Sequence, residues 1–431
     1  MLIASLGFLL AFILIFMRVP IAIAMGVTGF LGFGYLVGWH QSATMLALTT
    51  RDSTMSYAMV VIPLFVLMGN LVAGTGVSRE LFRSAQAFFG ARRGGLAVAT
   101  VMASGGFASI CGSSVATVVT MGKVAMPSMR QFGYADSLST ASIAAGATLG
   151  ILIPPSVLLV VYGIITETHI GKLYAAGLIP GLIGVLGYVA AVRWTVVRNP
   201  ESAPAADGFS WRERFESLLG IWAALALFVM VIGGIYSGVF TATEASGFGA
   251  FGAFVIALTR RRLTLAQLYD ILFDTAQTTA VLFALIIGAG LFTEFLNYSG
   301  AHNALLDFVN NSGFSPFTVV LVICFIYIIL GMLMESMSMI LLTVPLFFPV
   351  VIGLGFDPVW FGILIVVLCE LGLITPPIGI NLFVMRSVAP DVSISTIIRG
   401  VIPFIGVDLL RVLLIAAVPT ISLFLPQLLF D

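Results

Sequence analysis

The sequence predicts an all-α polytopic membrane protein made of two inverted repeats, each with a re-entrant hairpin and a broken helix. Three observations lead there. Of the 431 residues, 60% are hydrophobic and only 9% charged, where a soluble domain carries about 25% charge. The phrase LGILIPPSVLL at 149–159 returns as LGLITPPIGIN at 371–381. Finally, the basic residues fall almost entirely on one side of the topology that this repeat implies.

The first run, MLIASLGFLLAFILIFMRVP, has no basic stretch before its apolar core and no cleavage-like end, so a retained first helix is expected. Apolar candidates follow near 20–38, 57–75, 94–127, 137–166 and 173–197. The polar stretch RNPESAPAADGFSWRERFE (198–216) reads as an exposed linker with a short surface helix. Beyond it lie candidates at 217–236, 243–259, 276–298, 317–350, 357–389 and 397–425. Six segments answer six, which divides the chain into 1–197, the linker 198–216 and 217–431. Pro376 and Pro377 lie 222 positions after Pro154 and Pro155, as Pro349 does after Pro127 and Gly372 after Gly150.

The segments 94–127 and 317–350 are too long for one crossing and too short for two. Half of either covers roughly 24 Å at about 1.5 Å per residue, less than a bilayer core of about 30 Å. Both carry polar residues at the midpoint: Gly112, Ser113 and Ser114 in one, Glu335, Ser336 and Ser338 in the other. A re-entrant hairpin with a polar tip explains length and polarity together; a single long tilted helix is the alternative. Non-crossing hairpins leave five crossings per repeat, about ten in all, with the second repeat inverted. In that topology 16 of the 19 basic residues, including the clusters at 79–93, 193–214 and 260–262, face away from the N-terminus. Only Arg51 and Lys172 lie on the N-terminal side, and Arg411 lies inside the last helix. The termini are then expected outside and the linker in the cytoplasm. If the hairpins crossed, the asymmetry would collapse.

A proline pair removes two backbone donors and leaves the preceding carbonyls without helical partners. Such carbonyls are tolerated at membrane depth only inside protein or beside water. There they suit a hard cation such as Na⁺, and hydroxyls of Ser113 and Ser114, or of Ser336 and Ser338, complete a shell. The half-helix resuming after Pro155 or Pro377 favours an anion at its start. Taken alone, either proline pair is equally a loop boundary.

Other signals exclude more than they suggest. Zero net charge gives no reason to expect nucleic-acid binding. Cys111, Cys324 and Cys369 are scattered and read as buried hydrophobes, and the isolated His40, His169 and His302 make a His/Cys metal site improbable. GGFASICGSS has the wrong glycine spacing for a phosphate loop and no lysine before its serines. No nucleophile elbow or HExxH helix occurs, so no enzyme is expected. Glu335 is a functional candidate as an ionisable tip residue, with cation contact, proton relay and a water-facing tip all open. Asp408 and Arg411, three apart, read as a buried pair within one helix.

The runs GSSVATVVTMGKVAMPSMRQFGY (112–134), AAGATLGILIPPSVLLVVYGIIT (144–166) and ELGLITPPIGINLFV (370–384) resemble the large membrane subunit of tripartite ATP-independent periplasmic (TRAP) transporters. The resemblance extends along the whole chain. It implies an elevator-type, Na⁺-driven importer of organic acids such as C4-dicarboxylates, sialic acid or other sugar acids, in a bacterial inner membrane. It also implies two partners, a small four-helix membrane subunit and a periplasmic substrate-binding protein. With no four-helix extension ahead of the first repeat, the small subunit is expected to be a separate polypeptide. Carried over, one Na⁺ site takes Ser113, Ser114 and carbonyls from Gly150 to Pro154. The other takes Ser336, Ser338 and carbonyls from Gly372 to Pro376, and the substrate lies near Thr117, Ser156, Thr375 and Asn381. Ser113 faces Glu335 across the repeat, so the two cation sites are not chemically identical. The remaining functional readings are a stand-alone sodium-coupled anion symporter and an uncoupled channel or scaffold.

Overall fold

The computed structural model describes residues 2–206, 208–261, 263–311 and 313–430. Asp207 of the linker and Arg262 of the third basic cluster lie outside the described residues. Among the described residues every regular element is helical. In chain order the first part runs α1 (Leu2–Phe16), α2 (Ile21–Leu36), α3 (Trp39–Met55), α4 (Val61–Gly74), α5 (Val77–Phe89), α6 (Gly95–Cys111), α7 (Ser114–Gln131), α8 (Asp136–Gly146), α9 (Val157–Ile165) and α10 (Ile170–Arg198). The linker carries α11 (Trp211–Gly220). The rest runs α12 (Trp222–Phe228), α13 (Gly234–Tyr236), α14 (Ala242–Thr259), α15 (Leu265–Tyr298), α16 (Ala301–Asn311), α17 (Pro316–Gly331), α18 (Ser336–Gly353), α19 (Pro358–Ile374), α20 (Ile380–Val388), α21 (Ile394–Ala417) and α22 (Thr420–Phe430).

The 222-residue offset extends from motifs to helices. Ser114 and Ser336 open α7 and α18, and α2, α6, α9 and α10 begin within two residues of where the offset places α14, α17, α20 and α21. The amphipathic α5 has α16 as its counterpart; neither contains an unbroken apolar run, so a count of such runs passes over both. Val77 and Phe82 of α5 are buried while Arg79 and Arg83 share its short length.

Among the described residues six helices are long and apolar enough to cross a membrane, or seven if Trp211–Gly220 and Trp222–Tyr236, bent by 51°, count as one span. One of the six is α18, an arm of the second hairpin expected not to cross; of the expected ten, α1, α2 and the members of the broken helices fall short individually.

Each hairpin returns to the side on which it began. Gly112, in a left-handed conformation at φ +69°, reverses the chain between α6 and α7. At the other end the Leu96 amide donates to the Tyr134 hydroxyl at 3.1 Å. In the second hairpin Thr343 of α18 hydrogen-bonds Tyr327 of α17, and a Cβ at Gly353 would meet Leu306 of α16, just ahead of the hairpin. The arms run past the expected boundaries: α7 continues through Pro127 to Gln131, and α18 through Pro345 and Pro349 to Gly353. An interior proline disturbs a helix without necessarily ending it when neighbours hold the flanking turns.

Two packing groups result. In one, α2 crosses α15 so closely that a Cβ on Gly29 would lie 2.4 Å from the Leu291 carbonyl carbon, and one on Gly288 2.2 Å from the Ala22 oxygen. Such small-residue crossings gain dispersion contacts where lipid offers no hydrophobic drive. The apolar cluster of this first group continues from α2 and α15 into α9, α17, α18 and α19, while a second cluster holds α6, α7, α8, α20, α21 and part of α10. At its edge Arg130 pairs with Asp136 at 2.8 Å and with Asp391 at 2.5 Å, joining α7, α8 and the turn after α20. The hydrogen bond from Arg130 holds the Asp391 carboxyl below the ordinary carboxylate range, so its contribution is present at neutral pH and fades as pH falls through that lowered value.

Gly288→Val should lower the thermal stability of the purified protein, since overpacking costs about 1–3 kcal/mol. A melting temperature equal to wild type would show that α2 and α15 are not held this closely.

Candidate functional site

The first proline-broken helix proceeds from α8 through a tight turn at Thr148–Ile151, crosses a cis Pro154–Pro155 bond, and resumes as α9. Ser156 caps α9 by accepting from the Leu159 amide at 3.2 Å, and its hydroxyl donates to the Ile151 carbonyl. The second break also contains a cis bond, Pro376–Pro377. There Thr375 donates to the Leu371 carbonyl at 2.5 Å, and its amide bonds the Gly372 carbonyl at 3.2 Å.

The accounting of backbone acceptors decides what these breaks can do. Among the described residues, the carbonyls of Leu152, Ile153, Pro154 and Pro155 receive no backbone hydrogen bond, nor do those of Leu373 through Ile378. Buried carbonyls are otherwise almost always paired. Two runs of free carbonyl oxygen, with hydroxyls near by, form a donor set that fits a hard, weakly polarising monovalent cation. No cluster of three or more His, Cys, Asp or Glu side chains capable of holding a transition metal occurs among the described residues.

Each hairpin lies against the break of its own half. A Cβ on Gly150 would sit 2.1 Å from the Ala108 Cβ on α6, and one on Gly372 would sit 2.6 Å from the Gly331 Cα at the end of α17. Both glycines are therefore required by close packing. Ser113 caps α7, accepting from the Ala116 amide at 3.2 Å, while Ser114 is buried. Glu335 takes the equivalent capping place on α18, accepting from the amides of Met337 at 3.0 Å and Ser338 at 3.2 Å. A carboxylate there also complements the helix dipole. Ser336 and Ser338 are both buried.

The four residues expected near substrate do not share an open cavity in this conformation. Thr117, Ser156, Thr375 and Asn381 are all buried. The Thr117 hydroxyl donates to the Ser113 carbonyl at 2.8 Å, and those of Ser156 and Thr375 are engaged within their own breaks. Asn381 behaves differently: its Nδ2 donates across the two halves to the Ala144 carbonyl at 3.1 Å, while its Oδ1 has no protein partner. Of these four it is the one with a free polar atom.

Open space lies instead along α15. One cleft of about 480 Å³ is bounded by Pro20, Gln277, Thr278 and Leu285 on one wall and by Glu335 and Ser338 on the other. A second, of about 470 Å³, places Asp52, Glu294 and Asn297 opposite Thr166, Pro345 and Phe348. In both, α15 faces α18 or its cap across a gap.

Sequence reasoning missed the full extent of a buried polar network. Glu370, two residues before Gly372, pairs with Arg411, which also pairs with Asp408 at 2.9 Å; Tyr188 donates to Asp408 at 2.6 Å. The expected Asp408–Arg411 pair exists, but as part of a network over three helices. The available signal was Glu370 itself, an acidic residue inside the apolar run PVWFGILIVVLCELGLI.

An all-helical body with two proline-broken helices, each packed against a helical hairpin, is the architecture of a membrane transporter. The TRAP transporter DctM component matches residues 8–421. The chain is 38% identical over 388 residues to the C4-dicarboxylate TRAP transporter large permease protein of Pseudomonas aeruginosa, covering 90% of each. It is 33% identical over 375 residues to the sialic acid TRAP transporter large permease protein of Vibrio cholerae, covering 86% of this chain and 87% of that one. In fold it is similar to the YdaH transporter of Alcanivorax borkumensis, with a TM-score of 0.62 and 17% identity over 90% of each chain. This chain belongs to the tripartite ATP-independent periplasmic transporter family, as the large membrane permease. It is a multi-pass inner-membrane protein and a permease, not an enzyme.

Gly150→Ala and Gly372→Ala should each push a hairpin off its break and abolish most transport while the protein still inserts in the membrane. Uptake at wild-type rate in either variant, measured at equal surface amount, would separate the hairpins from the site.

Proposed function

We propose that this permease imports an organic acid by sodium-coupled symport, with an elevator movement of the hairpins and broken helices against α2 and α15. The observation that carries the reading is the pair of breaks whose carbonyls lack partners, each backed by a serine-bearing hairpin tip. One cation site is assigned to Ser113, Ser114 and the carbonyls from Gly150 to Pro154, most directly those of Leu152 to Pro154. The other is assigned to Ser336, Ser338 and the carbonyls from Gly372 to Pro376, where Leu373 onward are free. Bound Na⁺ supplies positive charge at membrane depth, which favours a carboxylate between the sites, and Asn381 with Thr117, Ser156 and Thr375 lies on that side. Direct contact by the last three requires their local hydrogen bonds to be exchanged as substrate enters.

The topology of this reading has ten crossings in two inverted repeats, 1–197 and 217–431. Five are α4, α10, α14, α15 and α21; three more are α1, α2 and the bent pair α12–α13, and the two broken helices complete the set. The repeating helix starts support it, as do hairpins that return to their own side. With that topology the basic clusters favour both termini in the periplasm. The clefts between α15 and α18 support sliding, because they leave part of that contact unpacked. The family name indicates three components, and we assign the other two as a small membrane subunit and a periplasmic binding protein. The relatives' names point to C4-dicarboxylates and sialic acid as substrate classes.

Reconstitution in liposomes tests the whole assignment. Uptake should require an inward sodium gradient, the small subunit and the binding protein charged with substrate. Uptake without the binding protein would indicate a stand-alone symporter, and flux that ignores sodium would indicate a channel. Ser114→Ala and Ser336→Ala should each raise the sodium concentration for half-maximal uptake several-fold in protein that is still folded; sodium curves identical to wild type in both would remove the serines from the sites.

A further inference from the structure

Thr148 and Glu370 are equivalent positions. Each lies two residues before the packed glycine of its break and six before the first proline. Both side chains are fully buried. They belong to different halves of the chain, yet they are the two ends of one line of polar contacts.

The line runs through α10 and α21. Thr148 Oγ1 lies 3.2 Å from the Tyr188 hydroxyl, which is 2.6 Å from Asp408 Oδ2. Asp408 Oδ1 is 2.9 Å from Arg411 Nη2, and the same nitrogen donates to Glu370 Oε2. The single Tyr188 proton goes to Asp408, so its oxygen accepts from Thr148, whose own proton is shared with the Ala145 carbonyl at 2.8 Å. Room for the guanidinium is made by Gly184 of α10, where a Cβ would lie 2.0 Å from Arg411 Nη1.

Stability alone gives little reason for this arrangement. Two carboxyl groups and one guanidinium are held at 0–2% exposure; Glu370 Oε1, Asp408 Oδ1, Arg411 Nε and Arg411 Nη1 have no protein hydrogen-bond partner, so the Asp408–Arg411 link is an ion pair without hydrogen-bond geometry. Well-packed apolar side chains of similar volume usually do as well or better than a buried ion network. What the polar line offers is direction: charge-assisted bonds fix distances and angles more tightly than apolar contacts do.

We propose that Thr148, Tyr188, Asp408, Arg411 and Glu370 form a strut that sets the position of each helix break relative to the other. A shift of α19 at Glu370, such as carbonyls closing on a cation in the second break, moves Arg411 and Asp408 and so repositions Tyr188 and the Thr148 turn. These are positioning residues. Their effect on sodium rests on the symport reading above; the mechanical link between the breaks does not.

Two conservative variants test the strut. Tyr188→Phe deletes the hydroxyl between Thr148 and Asp408 while keeping the ring that packs edge-on against Phe404 at 5.3 Å. Gly184→Ala displaces Arg411 without removing a charge. In reconstituted protein both should shift the half-maximal sodium concentration by about two- to thirtyfold, the range for residues on a coupling network. The Hill coefficient for sodium should fall towards one, with the maximal rate at saturating sodium largely kept. Lower yield or melting temperature with unchanged sodium half-saturation and Hill coefficient would mean a purely structural cluster and overturn the proposal.

A second measurement avoids transport. With Cys111, Cys324 and Cys369 replaced, Ile153→Cys reports thiol labelling at the first break. Adding Glu370→Gln, in the other half of the chain, or Tyr188→Phe should change that labelling rate, and equal rates in all three proteins would refute the strut. If wild-type uptake ignores sodium, the symport reading fails, and the Ile153 labelling still decides whether the breaks are linked.

Discussion

In a bilayer a backbone carbonyl without a donor is costly, because no solvent is present to replace the missing bond. The proline pairs at 154–155 and 376–377 create such carbonyls in two places, and much of the surrounding architecture is what makes them tolerable. The breaks are enclosed by hairpins, and the hairpins pack closely because Gly150 and Gly372 carry no side chain. The hairpin tips are themselves helix starts, whose exposed amides are answered by Ser113 in one and Glu335 in the other. Leu152, Pro154, Pro155 and Leu373 to Thr375 are thus buried inside protein, while Pro377 and Ile378 are exposed.

The two halves are interleaved around the hairpins and breaks. Asn381, just after the second break, bonds the Ala144 carbonyl just before the first. Arg130 at the base of the first hairpin pairs with Asp391 beyond the second break. Tyr162 of α9 donates to the Pro358 carbonyl at the start of α19 at 2.7 Å. These ties cross between halves at several levels, so the breaks sit in one packed body. The clefts beside α15 mark where its contact with α18 is less tightly packed.

Particular residues show why some of this was legible beforehand. Proline and glycine act on their own backbone, so their consequences can be read locally: a missing donor, a reversal at Gly112. Serines at a hairpin midpoint are visible for the same reason. The short amphipathic α5 and α16 escape a search for apolar runs because their apolar residues are spaced at helical intervals. Ser156 and Thr375 were placed near substrate by resemblance, yet their hydroxyls bond the carbonyls of Ile151 and Leu371. Composition does not reveal whether a hydroxyl faces inward to its own turn or outward to a ligand. Glu335 is similar: its type and place mark it as special, while its capping of two amides is a matter of rotamer.

The sequence alone determined the membrane solvent, the helical class, the two hairpins and the two breaks, because each follows from the hydropathy or covalent geometry of neighbouring residues. Tertiary structure decided which of those pieces touch. Glu370 and Arg411 are 41 positions apart, and Tyr188 and Asp408 are 220 apart, with nothing in the intervening residues to pair them. Only packing brings such side chains within reach, and in a low-dielectric interior that proximity turns separate polar residues into one network.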